Sequence, residues 1–380
     1  MTRSKSDSVL AAEPVRVMVV DDSAVIRGFL TRFIETDPAL KVMGSASNGQ
    51  VALRKMEQST FDVIVLDIEM PVMDGLTALP LILEIDPHIQ IIIASTLTKE
   101  NASITLKAFQ IGAAECLAKP SSQELSGSNV FRDDLVEKVK TLGLLAKKKR
   151  RSAGIADIST KDRVRVARPL PVVDKSFSLV KNIVKSKPDV IAVGSSTGGP
   201  QALMKFFTDL KGGVNQPIFV TQHMPPTFTT ILAEHISKQS NLNCKEAVDG
   251  EVVENSRVYL APGGFHMLVQ EKEGKKVIKL SNDPPENFCR PAVDPMMRSL
   301  VKIYGKKILA VILTGMGSDG LKGCKELVDV GGTVLAQDEA TSVVWGMPGA
   351  VAMAGICSNV LPLGLMAEEL KTYAGFGGLK

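Results

Sequence analysis

Along most of the chain, short unbroken apolar runs alternate with segments in which apolar residues return every three or four positions, the pattern of buried parallel strands separated by helices. In the first third the apolar runs are 16–22, 40–46, 61–67, 89–94 and 114–118, and helical spacing covers 24–35, 49–58, 76–85, 102–110 and 130–146. Strands and helices in strict alternation make a doubly wound α/β sheet, here expected in flavodoxin-like order. The rhythm returns with strands at 189–193, 218–223, 257–261, 307–313 and 333–337 and helices at 201–210, 228–239, 295–304 and 321–330. Residues 266–281 break it, because two short strands around Glu273-Gly274 predict an antiparallel hairpin inserted at one edge. The expected fold class is therefore α/β: an N-terminal flavodoxin-like (βα)5 domain at 14–142, then a C-terminal doubly wound, mostly parallel α/β domain at 184–375 carrying the hairpin.

Between them the pattern lapses. A basic run, Lys147 to Arg151, is followed by polar, proline-containing sequence to about Lys187, and so long a connection predicts an interdomain linker at 143–183. A flexible chain of about 40 residues spans roughly 35 Å, enough for one domain to dock on the other and leave. A solvated linker explains the basic run better than a nucleic-acid site does, since a net charge of +4 on 380 residues demands no polyanion. Five scattered cysteines without C-x-x-C pairs suit a reducing compartment and no structural zinc. With no signal-peptide pattern and no apolar run of spanning length, a cytoplasmic protein is expected.

Candidate chemistry in the second domain begins where its first strand ends. Gly194-Ser195-Ser196-Thr197-Gly198 matches G-x-S-x-G, a spacing that presents a serine hydroxyl at a strand-to-helix turn and makes Ser196 the candidate nucleophile. The plainer reading is a glycine-rich turn that holds a phosphate on its N–H groups, or nothing. Of four histidines, His88 and His235 read as structural, whereas His223 ends the strand IFVTQH and would lie at the same sheet edge as Ser196. His266, after Pro262-Gly263-Gly264, is a candidate for substrate binding. The orienting acid should also follow a strand, which favours Asp319 in GMGSDG, with Asp294 in CRPAVDP as runner-up; helix capping competes for both. Ser196, His223 and Asp319 can then act as nucleophile, base and orienting acid. Backbone N–H groups of Thr197, Gly198 and Met316 are oxyanion candidates. The chain order Ser, His, Asp differs from the Ser, Asp, His of α/β-hydrolases, so the elbow is convergent.

In the first domain, Asp21 and Asp22 end one strand and Asp67 ends another, so three acids converge where ligands gather in such sheets. Carboxylates there can hold Mg2+. Ser95, with Thr96 as alternative, could hydrogen-bond a phosphoryl oxygen, and Lys119 could supply a point charge.

This ordered set, with LDIEMPVMDG around Asp67 and Lys119-Pro120 after the last strand, resembles the receiver domain of two-component response regulators. The resemblance implies that Asp67 accepts a phosphoryl group from a histidine kinase, with Asp21, Asp22 and Asp67 on Mg2+ and Ser95 and Lys119 sensing the phosphate. Farther on, GSSTGGP, VTQHMPP, VYLAPGG-x-H, CRPAVDP and LTGMGSDG together resemble the catalytic domain of the chemotaxis protein-glutamate methylesterases, a family that also carries an N-terminal receiver. That resemblance implies the triad Ser196, His223 and Asp319, hydrolysis of glutamate γ-methyl esters on chemoreceptors with release of methanol, and often deamidation of receptor glutamines. It further implies an unphosphorylated receiver that covers the active site, no cofactor for the ester chemistry, and a chemotaxis histidine kinase and methyl-accepting chemoreceptors as partners. The protein would then be peripheral to membrane receptors without entering the bilayer, and nucleic acid is not expected as a partner. The alternatives are a response regulator with a DNA-binding output, for which no helix-turn-helix follows the linker, and a nucleotide-binding oxidoreductase, for which GSSTGG lacks the required G-x-G-x-x-G.

Overall fold

The computed structural model describes residues 13–96, 98–119, 129–154, 179, 187–211 and 213–375. They fall into two compact units, the first drawn from Met1–Ala94 and Lys119–Val164, the second from Ser95–Ala118 and Arg165–Lys380.

The N-terminal elements are β1 (Val15–Val20), α1 (Ala24–Ile34), β2 (Leu40–Ala46), α2 (Gly49–Met56), β3 (Val63–Asp67), α3 (Gly75–Ile85), β4 (Gln90–Ser95), α4 (Lys99–Ile111), β5 (Glu115–Ala118) and α5 (Asn129–Ser152). The strands form a sheet of order β2-β1-β3-β4-β5, the flavodoxin-like order that the alternation predicts. β1 runs parallel to β2 and β3, and β3 to β4. β3 and β4 are buried along their whole length, which is why they appear in the sequence as unbroken apolar runs.

The basic run departs from expectation. Helix α5 continues through Lys147–Arg151 to Ser152, so the residues that open the expected linker form its last turns. Leu135, Val139, Leu142 and Ala146 give the helix a buried stripe. Arg150 then reaches the buried carboxylate of Asp62, which also accepts from the Arg16 backbone N–H at 2.8 Å. Arg150, which also pairs with Asp86, is thus spent on an internal ion-pair network, while Lys148 and Arg151 are exposed. Of the rest of the expected linker, residues 155–178 and 180–183 lie outside the described residues.

The C-terminal elements are β6 (Val190–Ser195), α6 (Gly199–Leu210), β7 (Ile218–Gln222), α7 (Phe228–Ser240), β8 (Asn243–Glu246), β9 (Arg257–Leu260), β10 (His266–Lys272), β11 (Lys275–Ser281), α8 (Val293–Tyr304), β12 (Ile308–Ile312), α9 (Leu321–Asp329), β13 (Thr333–Gln337), α10 (Met347–Met353), β14 (Asn359–Leu361) and α11 (Leu363–Ala374). Seven strands pair in the order β14-β13-β12-β6-β7-β9-β8, every neighbour parallel. Because β6 leads to β7 on one side and β12 comes to lie on the other, the connections diverge from β6, and such a switch point opens a crevice at the strands' carboxyl ends.

The hairpin is antiparallel, as expected, but pairs as a two-stranded sheet of its own, with β10 packed on α8. Its tip, Glu273-Gly274, takes positive φ at both residues, 53° and 71°, the mirror-image turn that matches strand twist. The core between sheet and helices is built around Phe219 stacked on Tyr259, ring centroids 5.4 Å apart, with Met296, Met297 and Leu300 of α8 fully buried.

Candidate active site

Ser196, His223 and Asp319 follow the central strands β6, β7 and β12. Ser195 is the Cα partner of Gln222 in the β6–β7 register, so the next residue on each strand, Ser196 and His223, emerges at the same level of the sheet edge. Gln222 fixes that edge: its Nε2 donates to the carbonyl oxygens of Ser196 (3.0 Å) and His223 (3.1 Å), and its Oε1 accepts from Ser195 Oγ (2.7 Å). The His223 backbone N–H donates to the Ser195 carbonyl at 3.2 Å.

The turn after β6 depends on glycine twice. Gly198 has φ 73°, in the left-handed region, and at Gly199 an added Cβ would lie 1.9 Å from Gln222 Oε1. Only a residue without a side chain lets α6 begin that close to β7.

His223 and Asp319 form the charged pair. Nε2 of the imidazole lies 2.7 Å from Asp319 Oδ2. As Nε2–H is committed to the carboxylate, Nδ1 is left to take a proton from a hydroxyl. Asp319 is buried and surrounded by donors: Oδ2 accepts from Val293 N–H at 2.6 Å, and Oδ1 from Asp294 N–H (3.1 Å), Gly320 N–H (2.9 Å) and Asn287 Nδ2 (2.8 Å). Two of these N–H groups belong to the start of α8, whose positive end favours an anion. Burial alone would raise the Asp319 carboxyl, but His223 and these donors hold it below the usual range. For His223, burial opposes the charged ring, while the Cys289 side chain and the hydrogen-bonded Asp319 push it up to about 10.

The runner-up acid, Asp294, accepts from Gly323 N–H at 2.8 Å and Asn287 Nδ2 at 3.1 Å, and burial raises its carboxyl. It supports Asp319 through Asn287, while Asp319 faces the imidazole.

The remaining candidates divide. Gly198 N–H donates to the Ala114 carbonyl at 3.1 Å, and Thr197 Oγ1 donates to Glu115 Oε2 at 2.6 Å, both within the second unit. Among the described residues, the backbone N–H groups of Thr197 and Met316 have no hydrogen-bond acceptor, which leaves them for an oxyanion. His266 is only 1% exposed; Nδ1 accepts from Ala292 N–H at 3.2 Å and Nε2 donates to the Pro284 carbonyl at 3.1 Å. With both nitrogens committed, it pins the 284–292 segment and reaches no substrate, contrary to the expectation from its loop.

Asn287, Cys289 and Gln222 were not foreseen. Asn287 and Cys289 sit just before CRPAVDP or at its start, and nothing in their spacing marks them; the asparagine in PPENF reads as ordinary turn chemistry.

In the first unit, oxygens of Asp21, Asp22 and Asp67 all lie within 4.8 Å of one another. Lys119 Nζ bridges Asp21 Oδ2 (2.8 Å) and Asp67 Oδ2 (2.7 Å). Burial, with Asp21 adding to it, raises the Asp67 carboxyl against the opposing pull of Lys119. Three carboxylates partly balanced by one ammonium are a hard-oxygen donor set that fits Mg2+. Ser95 is buried at the end of β4 and Thr96 is exposed; Thr96 Oγ1 accepts from Asn101 Nδ2.

Two family models match along the chain. The family model for CheB methylesterase matches residues 191–370, and that for the response regulator receiver domain matches 17–127. The protein-glutamate methylesterase/protein-glutamine glutaminase of Azospirillum brasilense is 55% identical over 95% of this chain and 93% of its own length. A Rhodospirillum rubrum protein of that description is 52% identical over 96% of both chains. The crystal structure of the Thermotoga maritima CheB methylesterase catalytic domain, 43% identical, covers 49% of this chain and 98% of that one with a TM-score of 0.48. The chain therefore belongs to the protein-glutamate methylesterase/protein-glutamine glutaminase family, with a receiver domain ahead of the CheB methylesterase domain.

Proposed function

We propose that this protein is a phosphorylation-regulated chemotaxis enzyme that hydrolyses glutamate γ-methyl esters on methyl-accepting chemoreceptors and deamidates receptor glutamines. The reading assigns the receiver role to 14–142 with the rest of α5, and the catalytic role to 184–375. The observation that carries it is the His223–Asp319 pair at 2.7 Å, beside Ser196 on adjoining central strands.

Ser196 Oγ attacks the γ-carbonyl while His223 Nδ1 takes the hydroxyl proton, and Asp319 stabilises the imidazolium that results. The oxyanion is received by the N–H groups of Thr197 and Met316. As the tetrahedral species collapses, the proton passes from His223 to the departing methoxide, which leaves as methanol, or to the amine of a glutamine, which leaves as ammonia. A water molecule, deprotonated by the same nitrogen, then cleaves the acyl-serine and frees the glutamate carboxylate. None of these steps calls for a cofactor.

Asp67 is the phosphoacceptor in this reading, a histidine kinase the donor, and Ser95 and Lys119 the phosphate sensors. Asp21, Asp22 and Asp67 would hold Mg2+, which when bound neutralises the crowded carboxylates and draws in a phosphoryl oxygen. The reading places the enzyme in the cytoplasm, peripheral to membrane receptors; no helix among the described residues is long and apolar enough to cross a membrane.

The test is methanol release from methylated receptor membranes, with and without an acyl-phosphate donor and Mg2+. Ser196→Ala should lower turnover roughly 10⁴-fold or more, because nucleophile and base act as a unit. Near-normal demethylation by that variant would refute the reading.

A further inference from the structure

Between Asn287, which donates to Asp319 at 2.8 Å, and Cys289, whose side chain is close enough to His223 to raise its pKa, stands Phe288. The segment is closed by paired backbone bonds, Cys289 N–H to the Glu286 carbonyl at 2.9 Å and Glu286 N–H to the Cys289 carbonyl at 3.2 Å. Its two neighbours are thus tied to the charged pair, and consecutive Cα atoms are only about 3.8 Å apart, so the ring emerges next to the site.

The exposure of this residue is unexplained by folding. It is 99% exposed, the most exposed large apolar side chain among the described residues, so it contributes nothing to the core. Both Asn287 (φ 52°) and Phe288 (φ 62°) are left-handed. Positive φ at both central residues is the mirror-image turn that the paired Glu286–Cys289 bonds close, so the turn holds Phe288 in this conformation although a bulky aromatic rarely adopts it. A tight turn that displays a bare phenyl ring beside a hydrolytic site points to a contact made by something outside the chain.

The occupant follows from the reach of the substrate. A glutamate γ-methyl ester has only three bonds between Cα and its carbonyl carbon, so when that carbonyl is at Ser196 the polypeptide bearing it is drawn to the rim. A phenyl ring at the rim gains most by covering apolar surface. We propose that Phe288 is a specificity-determining residue that packs against an apolar side chain neighbouring the modified glutamate on the protein substrate. This rests on the esterase reading above and adds how that enzyme tells a receptor from a free ester.

The test compares wild type, Phe288→Ala and Phe288→Leu on two substrates with the phosphodonor present: methylated receptor membranes, and N-acetylglutamate γ-methyl ester, which has no neighbouring side chain. Phe288→Ala should raise KM for the receptor about tenfold, with kcat and small-ester hydrolysis changed less than twofold, and leucine should recover most of the loss. An unaltered receptor KM in Phe288→Ala, or an equal loss on both substrates, would overturn this proposal while leaving the esterase reading intact. Wild-type protein inert on both substrates would overturn both.

Discussion

Asp319 directs Oδ2 to His223 Nε2 at 2.7 Å, and its Oδ1 is gripped by Asn287, Asp294 N–H and Gly320 N–H. One buried carboxylate therefore orients the imidazole and ties together the starts of α8 and α9. The two roles separate by substitution. Asp319→Asn keeps the shape but presents an amide to Nε2, which favours the wrong tautomer, and kcat should fall about 10⁴-fold with little unfolding. Asp319→Ala should in addition cost about 3 kcal/mol or more in urea denaturation, because five donors lose their acceptor. Methanol-release kinetics on the asparagine variant decide the matter, and more than a tenth of wild-type kcat would remove Asp319 from the mechanism.

The pH dependence follows from the imidazole. Burial disfavours its charged form, but Cys289 and Asp319 push it up to about 10, so the free enzyme holds it protonated at neutral pH. A base must be neutral to accept a proton, and kcat/KM should therefore climb with pH toward a midpoint near 10. The stabilising contribution has the matching sign: fully present below the ordinary histidine value of about 6.5, it is lost as pH rises through the folded value. Cys289→Ala removes one of the two groups that raise the ring and should move the kcat/KM midpoint to lower pH. A pH profile of that variant superimposable on wild type would show that the thiol does not tune the base.

Gly199 offers a test in which no polar group is changed. A methyl at this position meets Gln222 Oε1 at 1.9 Å, so the glutamine that holds the Ser196 and His223 carbonyls must shift. Gly199→Ala should lower kcat by roughly 10- to 100-fold, since displacements of about 1 Å at a reacting pair have costs of that order. Wild-type activity in this variant would mean that Gln222 does not set the serine's position.

The fold was legible where burial is complete. β3, β4, β6, β7, β12 and β13 are buried along every residue, and each stands in the sequence as an apolar run. β8 and β14, at the two sheet edges, are short and only partly buried, and their sequences NCKE and NVL carry no period. The basic end of α5 was misleading because Arg150 is neutralised by Asp62, a partner 88 residues away that no local pattern reveals. In the site, a residue at the end of a buried strand announces itself, as Ser196 and His223 do. Asn287 and Cys289 reach the same pair from an irregular segment, where position depends on tertiary contacts alone.

Asp67 and Lys119 carry the last prediction. The carboxyl of Asp67, raised by burial with a further push from Asp21, is 2.7 Å from the Lys119 ammonium. If phosphorylation of Asp67 governs the esterase, the ratio of methanol release with acyl phosphate and Mg2+ to that without should fall to one in Asp67→Asn, because the amide cannot accept the phosphoryl group. Lys119→Met leaves Asp21 and Asp67 without their shared cation, and their repulsion should be relieved by a divalent ion in its place. Added Mg2+ should therefore raise the Tm of Lys119→Met more than that of wild type, as ligands that bind only the folded state do. A full phosphodonor response in Asp67→Asn would separate the acid cluster from control of the esterase. Equal Mg2+ shifts in the lysine variant and wild type would show that Lys119 does not balance that cluster.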